Sequence, residues 1–485
     1  MTQGTRDDMT LSDMRVGVVR GISYGLFGAP DAFAAAARDL GAGLVRLYVY
    51  WSQVQPTPDA YRWDTVDAIL GQVDDDTELW LTVCSSSQWA TRVKTDFLPP
   101  SPAHDLGAYG AFVEALVGHC RGRVRFWQCD NEPSNVGLLW AGTAEEYVAQ
   151  LSTMYKAVKD EDSDALVVLG GCGYDALTSE ADEAPRRFFD HVLDAGRDAF
   201  DVFSVNLYGD PGRVPEFVAT ARAMMRAHGY EKPIVAGEHG GPVPFEFPEA
   251  EAAMGAVMAD VFAQGPPESQ STDALKEQQG QPSPELAAMT ALYERAGELP
   301  PRLAMFLDGC PPELEVRRHR INCRQLVMRT LLALSEGVAR TAYWDLAAEV
   351  AAPVDPRQMM HLMFGKLTLL EYEHGALSKK RPAADTFALV AERLDGVRAV
   401  TRHRVDERPS LYAVQVDRGE RGPLLVLWER RDAFDGETEP PDPVAWPWPD
   451  SAVTAVDAFG VPVPVEVHNG EVRLSISDTP VFLSS

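Results

Sequence analysis

Val124-Arg-Phe-Trp-Gln-Cys-Asp-Asn-Glu-Pro133 is the most informative segment of this 485-residue chain, because a short apolar run ends there in an acidic residue, Glu132. A second run of the same kind, Pro233-Ile-Val-Ala-Gly-Glu-His-Gly-Gly-Pro242, ends in Glu238. Each run has the composition of a buried strand that enters a turn rich in Pro or Gly. The carboxyl ends of barrel strands meet at one face, where the catalytic groups of that fold collect. The two runs therefore predict two carboxylates that face each other at one end of a parallel barrel.

The residues around these two runs alternate short apolar strands with amphipathic helices, which is the pattern of parallel β-α-β units. Eight strands are predicted, near Val16–Ile22, Leu44–Tyr50, Glu78–Cys84, Val124–Cys129, Leu166–Gly170, Val202–Leu207, Pro233–Ala236 and Thr341–Trp344. Helical spacing is clearest at Pro30–Gly41, Thr143–Asp160 and Arg213–His228. We therefore predict an α/β fold in which residues 1–395 form a (β/α)8 TIM barrel, with a doubly wound open sheet as the alternative.

One interval, at about 241–316, interrupts this alternation between the seventh strand and its helix, which we expect to begin near Arg317. It contains runs rich in Pro, Gln and Ser, and a short helical piece around Glu285–Ala296. Long insertions in compact domains are usually functional lids or disordered segments. Because the insertion follows Glu238, it forms either a rim over the site or a mobile surface loop, and the sequence leaves both open.

Residues 396–485 lose the helical pattern and predict a small antiparallel β-sandwich. Its strands are expected near Val397–Thr401, Ser410–Val416, Pro423–Trp428, Ala452–Asp457, Val463–Val467, Val472–Ile476 and Val481–Leu483. Asn469-Gly470 is typical of a two-residue hairpin turn. The Pro- and Trp-rich stretch Glu439–Pro449 is interpreted as an irregular crossing within this domain.

The bulk composition is that of an ordinary soluble globular protein, with 45% hydrophobic residues and a net charge of −28. So acidic a chain disfavours nucleic acid and anionic membranes as partners. The polar start, Met1–Met9, lacks the apolar run of a signal peptide, so a cytoplasmic location is expected. The six scattered cysteines predict free buried thiols, and no metal or organic cofactor is expected because phosphate loops and metal-spaced His clusters are lacking. Nothing in the sequence predicts the oligomeric state.

The order of the polar residues along the barrel resembles that of the clan A retaining glycoside hydrolases. In that clan the acid/base Glu follows strand four, usually after an Asn, as in Asn131-Glu132-Pro133, and the nucleophile follows strand seven, as Glu238 does. Arg46, Tyr208 and Trp344 fall where the clan carries an arginine on strand two, an aromatic after strand six and a tryptophan on strand eight. The C-terminal sandwich is similar to that of family 39 xylosidases and their relatives. The resemblance implies hydrolysis of a glycosidic bond through a covalent intermediate on Glu238, with a carbohydrate or glycoside as substrate.

Elementary electrostatics supports the same two roles. A retaining enzyme needs one ionised and one protonated carboxyl group, held roughly 5 to 5.5 Å apart. Arg46 would keep Glu238 ionised, because a neighbouring opposite charge favours the carboxylate. Glu132 follows the apolar Phe126 and Trp127, so burial and the charge of Glu238 would raise its pKa. Glu132 is therefore the predicted proton donor.

The resemblance also implies roles in substrate binding. Asn131 would hydrogen-bond the sugar hydroxyl next to the anomeric carbon, and Tyr208 would hydrogen-bond the nucleophile. Trp344 and Trp89 offer flat apolar faces for a pyranose ring. His239 either contacts the substrate or is a structural histidine.

Two departures from the clan pattern weaken any transfer of sugar specificity. Several clan families place His-x-Tyr after strand six, where this chain has Asn206-Leu-Tyr208. The end of strand three, Cys84–Gln88, lacks the histidine of some relatives. Two other functions stay open: a noncatalytic carbohydrate-binding protein on the same scaffold, and a transglycosylase. The presence of both carboxylates favours an enzyme.

Overall fold

Eight parallel strands close into a barrel in the computed structural model, which describes residues 11, 13–250, 255, 269–278, 281–349, 358–450 and 452–485. Each strand pairs with the next in the chain, and the eighth pairs with the first. The strands are β1 Arg15–Val19, β2 Leu44–Tyr50, β3 Glu78–Cys84, β4 Phe126–Cys129, β5 Leu166–Cys172, β6 Val202–Leu207, β7 Ile234–His239 and β8 Arg340–Tyr343. Closure confirms the predicted (β/α)8 barrel, because a doubly wound sheet would keep two open edges.

Helices surround the barrel, and each of the three stretches with clear helical spacing contains one. They are α1 Ala34–Asp39, α2 Trp51–Val54, α3 Asp64–Leu70, α4 Leu106–Cys120, α5 Ala144–Glu161, α6 Tyr174–Thr178, α7 Ala184–Ala195, α8 Val214–Ala227, α9 Thr272–Gln278, α10 Pro284–Glu294, α11 Pro301–Ala304, α12 Pro312–Ser335, α13 Met359–Phe364 and α14 Pro382–Leu394. α1 begins later than predicted because the preceding backbone is held by other groups: the N–H of Phe33 donates to Gln72 Oε1 at 2.8 Å. α12 begins earlier than Arg317, with a proline in its first turn, where the missing N–H costs nothing.

The two faces of each barrel strand serve different purposes. In β2, Val45, Leu47 and Val49 pack in the core under the helices. The alternate residues of the same strand face the barrel interior: Leu44, Arg46, Tyr48 and Tyr50. Every residue of β2 is buried, as expected for a parallel strand covered on both faces. Period-two alternation therefore places the polar side chains of β2, including that of Arg46, in the barrel interior.

A β-bulge in β7 turns Glu238 into the barrel. Ala236 pairs with Val205 of β6, but Glu238 pairs with the very next residue, Asn206, so β7 carries one extra residue. Val235 lies in the interior cluster and Ala236 in the outer core. Strict alternation from Val235 would send the glutamate outward, whereas the bulge reverses the side on which it lies.

The insertion after β7 borders the mouth of the barrel. Ser269–Gln270 pairs in parallel with Lys94–Thr95 in the loop after β3, and the Thr272 N–H donates to Asp96 Oδ2 at 2.9 Å. α10 confirms the predicted short helix and packs through Met289 against a separate apolar cluster. The predicted insertion also includes residues 251–254, 256–268 and 279–280, which lie outside the described residues. Its described part supports the interpretation as a rim.

Between β8 and the C-terminal region lies an antiparallel hairpin that the sequence analysis did not predict. Its strands are β9 Leu370–Glu373 and β10 Ala376–Lys380. His374 and Gly375 form its two-residue turn with φ values of 52° and 82°. Leu370 is the one buried residue of these two strands, so the apolar alternation that signals a strand is weak here.

The C-terminal region is the predicted β-sandwich, made of a five-stranded and a three-stranded sheet. Its strands are β11 Ala399–His403, β12 Leu411–Asp417, β13 Leu424–Glu429, β14 Asp442–Pro447, β15 Thr454–Asp457, β16 Glu466–His468, β17 Glu471–Ile476 and β18 Val481–Ser484. The larger sheet has the order β11-β12-β13-β18-β15, and the smaller one β14-β17-β16. Leu425 and Leu427 face the smaller sheet, while Val426 and Trp428 join the core that contains Phe387 of α14. The β13 and β18 strands of the larger sheet are therefore buried on both faces.

The turn prediction at Asn469-Gly470 is confirmed, with φ values of 54° and 79° in the hairpin of β16 and β17. The interpretation of Glu439–Pro449 as an irregular crossing is wrong, because this stretch contains β14. In the part of the chain that the structure describes, β14 pairs with β17 alone, and an edge strand tolerates proline because one side of its backbone has no ladder partner. The boundary between residues 395 and 396 stays a prediction.

All six cysteines are free thiols, as predicted; five are buried and Cys310 is half-buried. Among the helices of the described residues, none is long and apolar enough to span a membrane. Within the same ranges, no group of three or more His, Cys, Asp or Glu side chains is arranged to hold a metal ion.

Candidate active site

Four donors converge on the carboxylate of Glu238, which is 5% exposed at the end of β7. Its Oε1 accepts hydrogen bonds from Arg46 Nη1 at 2.9 Å, Tyr48 Oη at 2.6 Å and Asn131 Nδ2 at 3.2 Å. Its Oε2 accepts one bond, from Tyr208 Oη at 3.0 Å. The two oxygens are therefore unequal, since Oε1 is crowded with donors while Oε2 keeps a lone pair available.

Arg46 is fully buried and fixes the geometry around Glu238. Its Nε donates to Thr82 Oγ1 at 3.1 Å, Nη1 also donates to the Gly237 carbonyl at 2.8 Å, and Nη2 donates to Asn131 Oδ1 at 2.9 Å. The guanidinium group also lies over the ring of Trp80, 5.1 Å from its centroid. One cation thus joins β2, β3, β7 and the loop after β4, so the carboxylate has a rigid anchor.

A tight turn after β4 presents Glu132 to the site. Asp130 and Glu132 both have positive φ, 48° and 42°, a conformation that non-glycine residues rarely adopt. Asp130 is fully buried and bonded to the Ser85 N–H at 2.8 Å and to Gln150 Nε2 at 3.1 Å. Burial raises the pKa of Asp130 to about 7. These contacts hold the turn in place, and such strained backbone is common at functional sites.

Glu132 has an environment opposite in character to that of Glu238. Its Oε1 accepts a bond from Asn206 Nδ2 at 2.7 Å. Burial of the carboxyl raises its pKa above the usual range, and the charges of Glu238 and Asp175 raise the pKa further. The predicted direction of the pKa shift is therefore confirmed, although Asp175 was not foreseen as one of its causes. A carboxyl group of this kind keeps its proton at a pH where ordinary glutamates are ionised.

Two glycines at the end of β5 make room for these side chains. A Cβ on Gly173 would lie 2.9 Å from the carboxyl carbon of Glu132 and 2.7 Å from Asp175 Oδ1. A Cβ on Gly171 would lie 2.9 Å from both Asn131 Oδ1 and Asn206 Nδ2. The β5 backbone therefore forms the floor on which Glu132 rests, and Glu132 and Asp175 flank one α-carbon.

Gly173→Ala is expected to lower kcat by about 10- to 100-fold, because even a small displacement of a catalytic group is costly. The added methyl group must push Glu132 or Asp175 aside. Steady-state kinetics would measure the loss, and thermal unfolding would show whether the fold is intact. Gly297→Ala is the matched control, since a Cβ there meets nothing within 4 Å. A Gly173→Ala enzyme with unchanged kcat would contradict this account of the floor.

Aromatic side chains form the rest of the pocket. Trp344, which follows β8, and Tyr208, which follows β6, belong to the same interior cluster. Both approach Phe364 of α13, with ring centroids 5.3 Å apart for Tyr208 and 6.1 Å apart for Trp344. Trp344 is 7% exposed and the Trp344–Asp345 peptide bond is cis. The predicted tryptophan thus lies in the same mouth as the carboxylates.

Two other predicted residues lie away from the carboxylates. Trp89 packs in the outer core with its ring edge on Trp51, and its Nε1 donates to the Gln55 carbonyl at 3.0 Å. None of its described contacts reaches the carboxylates, and its role in sugar binding stays a prediction. His239 faces outward against Tyr343, and burial together with Arg329 lowers its pKa to about 3. Its position favours the structural interpretation of this histidine.

Of the predicted residues, the fold brings together Arg46, Asn131, Glu132, Tyr208, Glu238 and Trp344. Sequence reasoning missed Tyr48, although it lies two residues after Arg46 on the same face of β2. It also treated Asn206 only as a departure from a histidine, whereas Asn206 donates to Glu132.

Solved structures with a similar fold are glycoside hydrolases, but the sequences have diverged widely. A family 39 glycoside hydrolase from the gut symbiont Bacteroides cellulosilyticus WH2 is 14% identical over 98% of this chain and 82% of its own, with a TM-score of 0.61. The catalytic domain of GH30 xylanase C from Talaromyces cellulolyticus is 10% identical over 98% and 96%, with a TM-score of 0.56. A monomeric β-xylosidase from Caulobacter crescentus CB15 is 13% identical over 97% of both chains, with a TM-score of 0.55. No protein-family model and no curated protein matches the chain. At these identities the likeness establishes a shared fold, a barrel followed by β-structure.

Proposed function

We propose that this protein is a retaining glycoside hydrolase in which Glu238 is the nucleophile and Glu132 is the general acid and base. The observation that carries the proposal is the unequal environment of two carboxyl groups in one site. Four donors, one of them cationic, surround Glu238, while burial and neighbouring negative charge raise the pKa of Glu132. Retaining hydrolysis needs this pairing of an ionised and a protonated carboxyl group. No metal or organic cofactor enters the proposed reaction.

In the first step, Glu238 Oε2 attacks the anomeric carbon. The glycosidic C–O bond breaks as Glu132 gives its proton to the departing oxygen, so the leaving group departs as a neutral alcohol. Oε2 is the attacking atom because Oε1 already accepts three hydrogen bonds. Those bonds persist as Oε1 becomes the carbonyl oxygen of the glycosyl ester.

In the second step, Glu132 acts in the reverse direction. Now ionised, it removes a proton from water, the hydroxide attacks the anomeric carbon, and Glu238 leaves as a carboxylate. Loss of the Glu238 charge in the ester removes one of the causes that raise the pKa of Glu132, which suits the change from acid to base. Two inversions give overall retention.

Other residues of the site would bind the sugar. Trp344 presents an apolar ring beside Tyr208, suited to the C–H face of a pyranose. Asn131 already bonds both Arg46 and Glu238, so a sugar hydroxyl beside the anomeric carbon would join an existing network. The role of Trp89 as a second apolar face for a pyranose ring stays a prediction.

Two related functions differ from this one in ways that a single assay separates. A transglycosylase would use the same two residues and transfer the sugar to an alcohol instead of water. A noncatalytic carbohydrate-binding protein would not need a glutamate with a raised pKa beside one held by four donors. The paired carboxyl groups therefore favour an enzyme.

A screen across 4-nitrophenyl glycosides of both anomeric configurations tests the proposal. We expect release of nitrophenol from at least one of them, and proton NMR of the first-formed sugar should show retained configuration. Binding without turnover would favour the noncatalytic alternative. Inversion at the anomeric carbon would overturn the assignment of Glu238 as a nucleophile.

The pH dependence of kcat/KM should report Glu132 in the free enzyme. Activity is expected to fall on the alkaline side as Glu132 loses its proton, at a higher pH than for an exposed glutamate, because burial and the charges of Glu238 and Asp175 raise its pKa. Asp175→Asn removes one of these charges, lowers the pKa of Glu132, and should move the alkaline limb to lower pH. Asp182→Asn, on an exposed loop, is the control. A limb that moves to higher pH in Asp175→Asn would contradict the sign of this interaction.

A further inference from the structure

Tyr174, which lies one residue beyond the glycine under Glu132, forms an aromatic pair with Phe245, and neither residue takes part in the proposed bond-breaking. Tyr174 opens α6 and directly follows Gly173, whose α-carbon lies against the Glu132 carboxyl. Phe245 lies in the turn Pro244–Glu246 after β7. The two ring centroids are 4.7 Å apart, and the ring planes are inclined by 41°. Both rings are half-buried and pack against the interior cluster, so together they form an apolar wall at the mouth.

Neighbouring residues hold the two rings of this wall in position. The Tyr174 ring lies directly on Gly209, where a Cβ would come within 2.5 Å of Tyr174 Cε2. The turn that carries the second ring is anchored by Glu246, whose carboxylate accepts bonds from Gln325 Nε2 and Arg329 Nη2, both at 2.7 Å. A preformed wall binds its ligand without a cost for ordering.

The place of the wall in the reaction decides which part of a substrate it meets. A general acid protonates the glycosidic oxygen, so the leaving group must lie next to the Glu132 carboxyl. That space adjoins Gly173, and the side chain that follows it is Tyr174. The wall therefore faces the aglycone, while Trp344 lies near the ring of the glycone.

The chemistry of the wall favours an apolar aglycone over a second sugar. Tyr174 and Phe245 are inclined and in contact, so each covers part of the other's face and leaves no broad flat ring for a pyranose. Asp175, which follows Tyr174 in the chain, already accepts a bond from Ser134 Oγ at 3.3 Å and from backbone N–H groups of α6. Hydrocarbon placed against the pair would be removed from water, which is favourable in proportion to its area.

We propose that the aglycone site takes an aryl or alkyl group, so that the substrates are glycosides of apolar alcohols and not oligosaccharides. This inference rests on the proposed hydrolase function and adds the class of its leaving group.

The test compares kcat/KM for methyl, butyl and octyl glycosides of the glycone identified by the nitrophenyl screen. These alcohols are similarly poor leaving groups, so differences in rate report contacts of the chain. We expect kcat/KM to rise by about tenfold or more from methyl to octyl, given the gain for each buried methylene. Phe245→Ala should lower the octyl-to-methyl ratio several-fold, with Phe245→Leu as the milder variant if the alanine variant does not fold. Phe27→Ala, which removes a half-buried ring that packs on Phe97 at 5.3 Å, should leave the ratio unchanged.

Three results would overturn the proposal: equal kcat/KM for methyl and octyl glycosides, a ratio unaffected by both Phe245 variants, or faster hydrolysis of a disaccharide with the same glycone than of the octyl glycoside. Each of these still includes turnover of a glycoside, so the hydrolase function would stand. Failure to hydrolyse any nitrophenyl or alkyl glycoside would instead overturn the proposed function together with this inference.

Discussion

Replacing Glu238 with alanine is expected to abolish turnover, with a loss of at least about 10⁴-fold in kcat. Without the carboxylate no glycosyl ester can form, and water has no activated path to the anomeric carbon. Azide should restore activity on nitrophenyl glycosides, because a small anion can enter the space that the side chain leaves. The product should be a glycosyl azide of inverted configuration, identified by NMR, since a single displacement replaces two.

Removal of Glu238 leaves Arg46 buried without its carboxylate partner, so stability must be measured beside activity. Glu238→Gln keeps the size and the acceptor oxygen of the side chain, and is expected to be inactive while unfolding closer to the wild-type temperature. Glu216→Ala on the surface of α8 is the control for glutamate loss in general. Near-normal activity of Glu238→Ala would show that this residue is not the nucleophile.

Glu132→Ala should separate substrates by the basicity of their leaving groups. Dinitrophenolate needs no proton to depart, so pre-steady-state glycosylation with dinitrophenyl glycosides should be nearly unchanged, whereas alkyl glycosides should lose about 10²- to 10⁴-fold. Water must then attack the ester without a base, so the glycosyl-enzyme should accumulate. An initial burst of released dinitrophenol would show this accumulation. Mass spectrometry would detect the added sugar on the protein.

The same variant has a second signature that distinguishes a catalytic acid from a merely structural residue. Azide should attack the accumulated ester and give a glycosyl azide of retained configuration, opposite to that expected from Glu238→Ala. Equal losses on dinitrophenyl and alkyl glycosides in the glycosylation step would argue against Glu132 as the acid.

The barrel and the sandwich could be predicted because both depend on the hydrophobic period and the length of successive segments, and these can be read from the sequence. The orientation of Glu238 could not be predicted in this way. Alternation along β7 from Val235 places it outside, and only the bulge at Gly237 brings it inside. A glycine within a strand often marks such a bulge, so the sequence contained a clue but no means of proving it.

The site itself was predicted unevenly, for related reasons. Arg46 was identified by its type and position, and the same strand geometry would have given Tyr48 two residues later. Asp175 affects Glu132 only because two loops meet at Gly173, and no local pattern reports a contact between loops. For Trp89 the described contacts are packing contacts, since an aromatic residue near a strand end is as suited to packing as to binding sugar, and its role in sugar binding stays a prediction.

β14 shows how a strong local rule can mislead. Pro443 and Pro447 argue against a strand, yet both lie in an edge strand. Within the described residues, the outer side of that strand has no partner, so a missing N–H on that side removes no hydrogen bond between strands. Proline excludes central strands only, and the sequence does not say which strands lie at the edge of a sheet.

The place of β18 in the larger sheet constrains how the protein can be made. This strand, Val481–Ser484, is the last of the sandwich in the chain, yet it lies between β13 and β15. During synthesis, β13 therefore lacks one of its two neighbouring strands until residue 484 has left the exit tunnel of the ribosome. Until then the unpaired edge of β13 is accessible to other chains. One face of that sheet shares a core with Phe387 of α14. Complete packing of this helix against the sheet therefore also requires the four residues of β18.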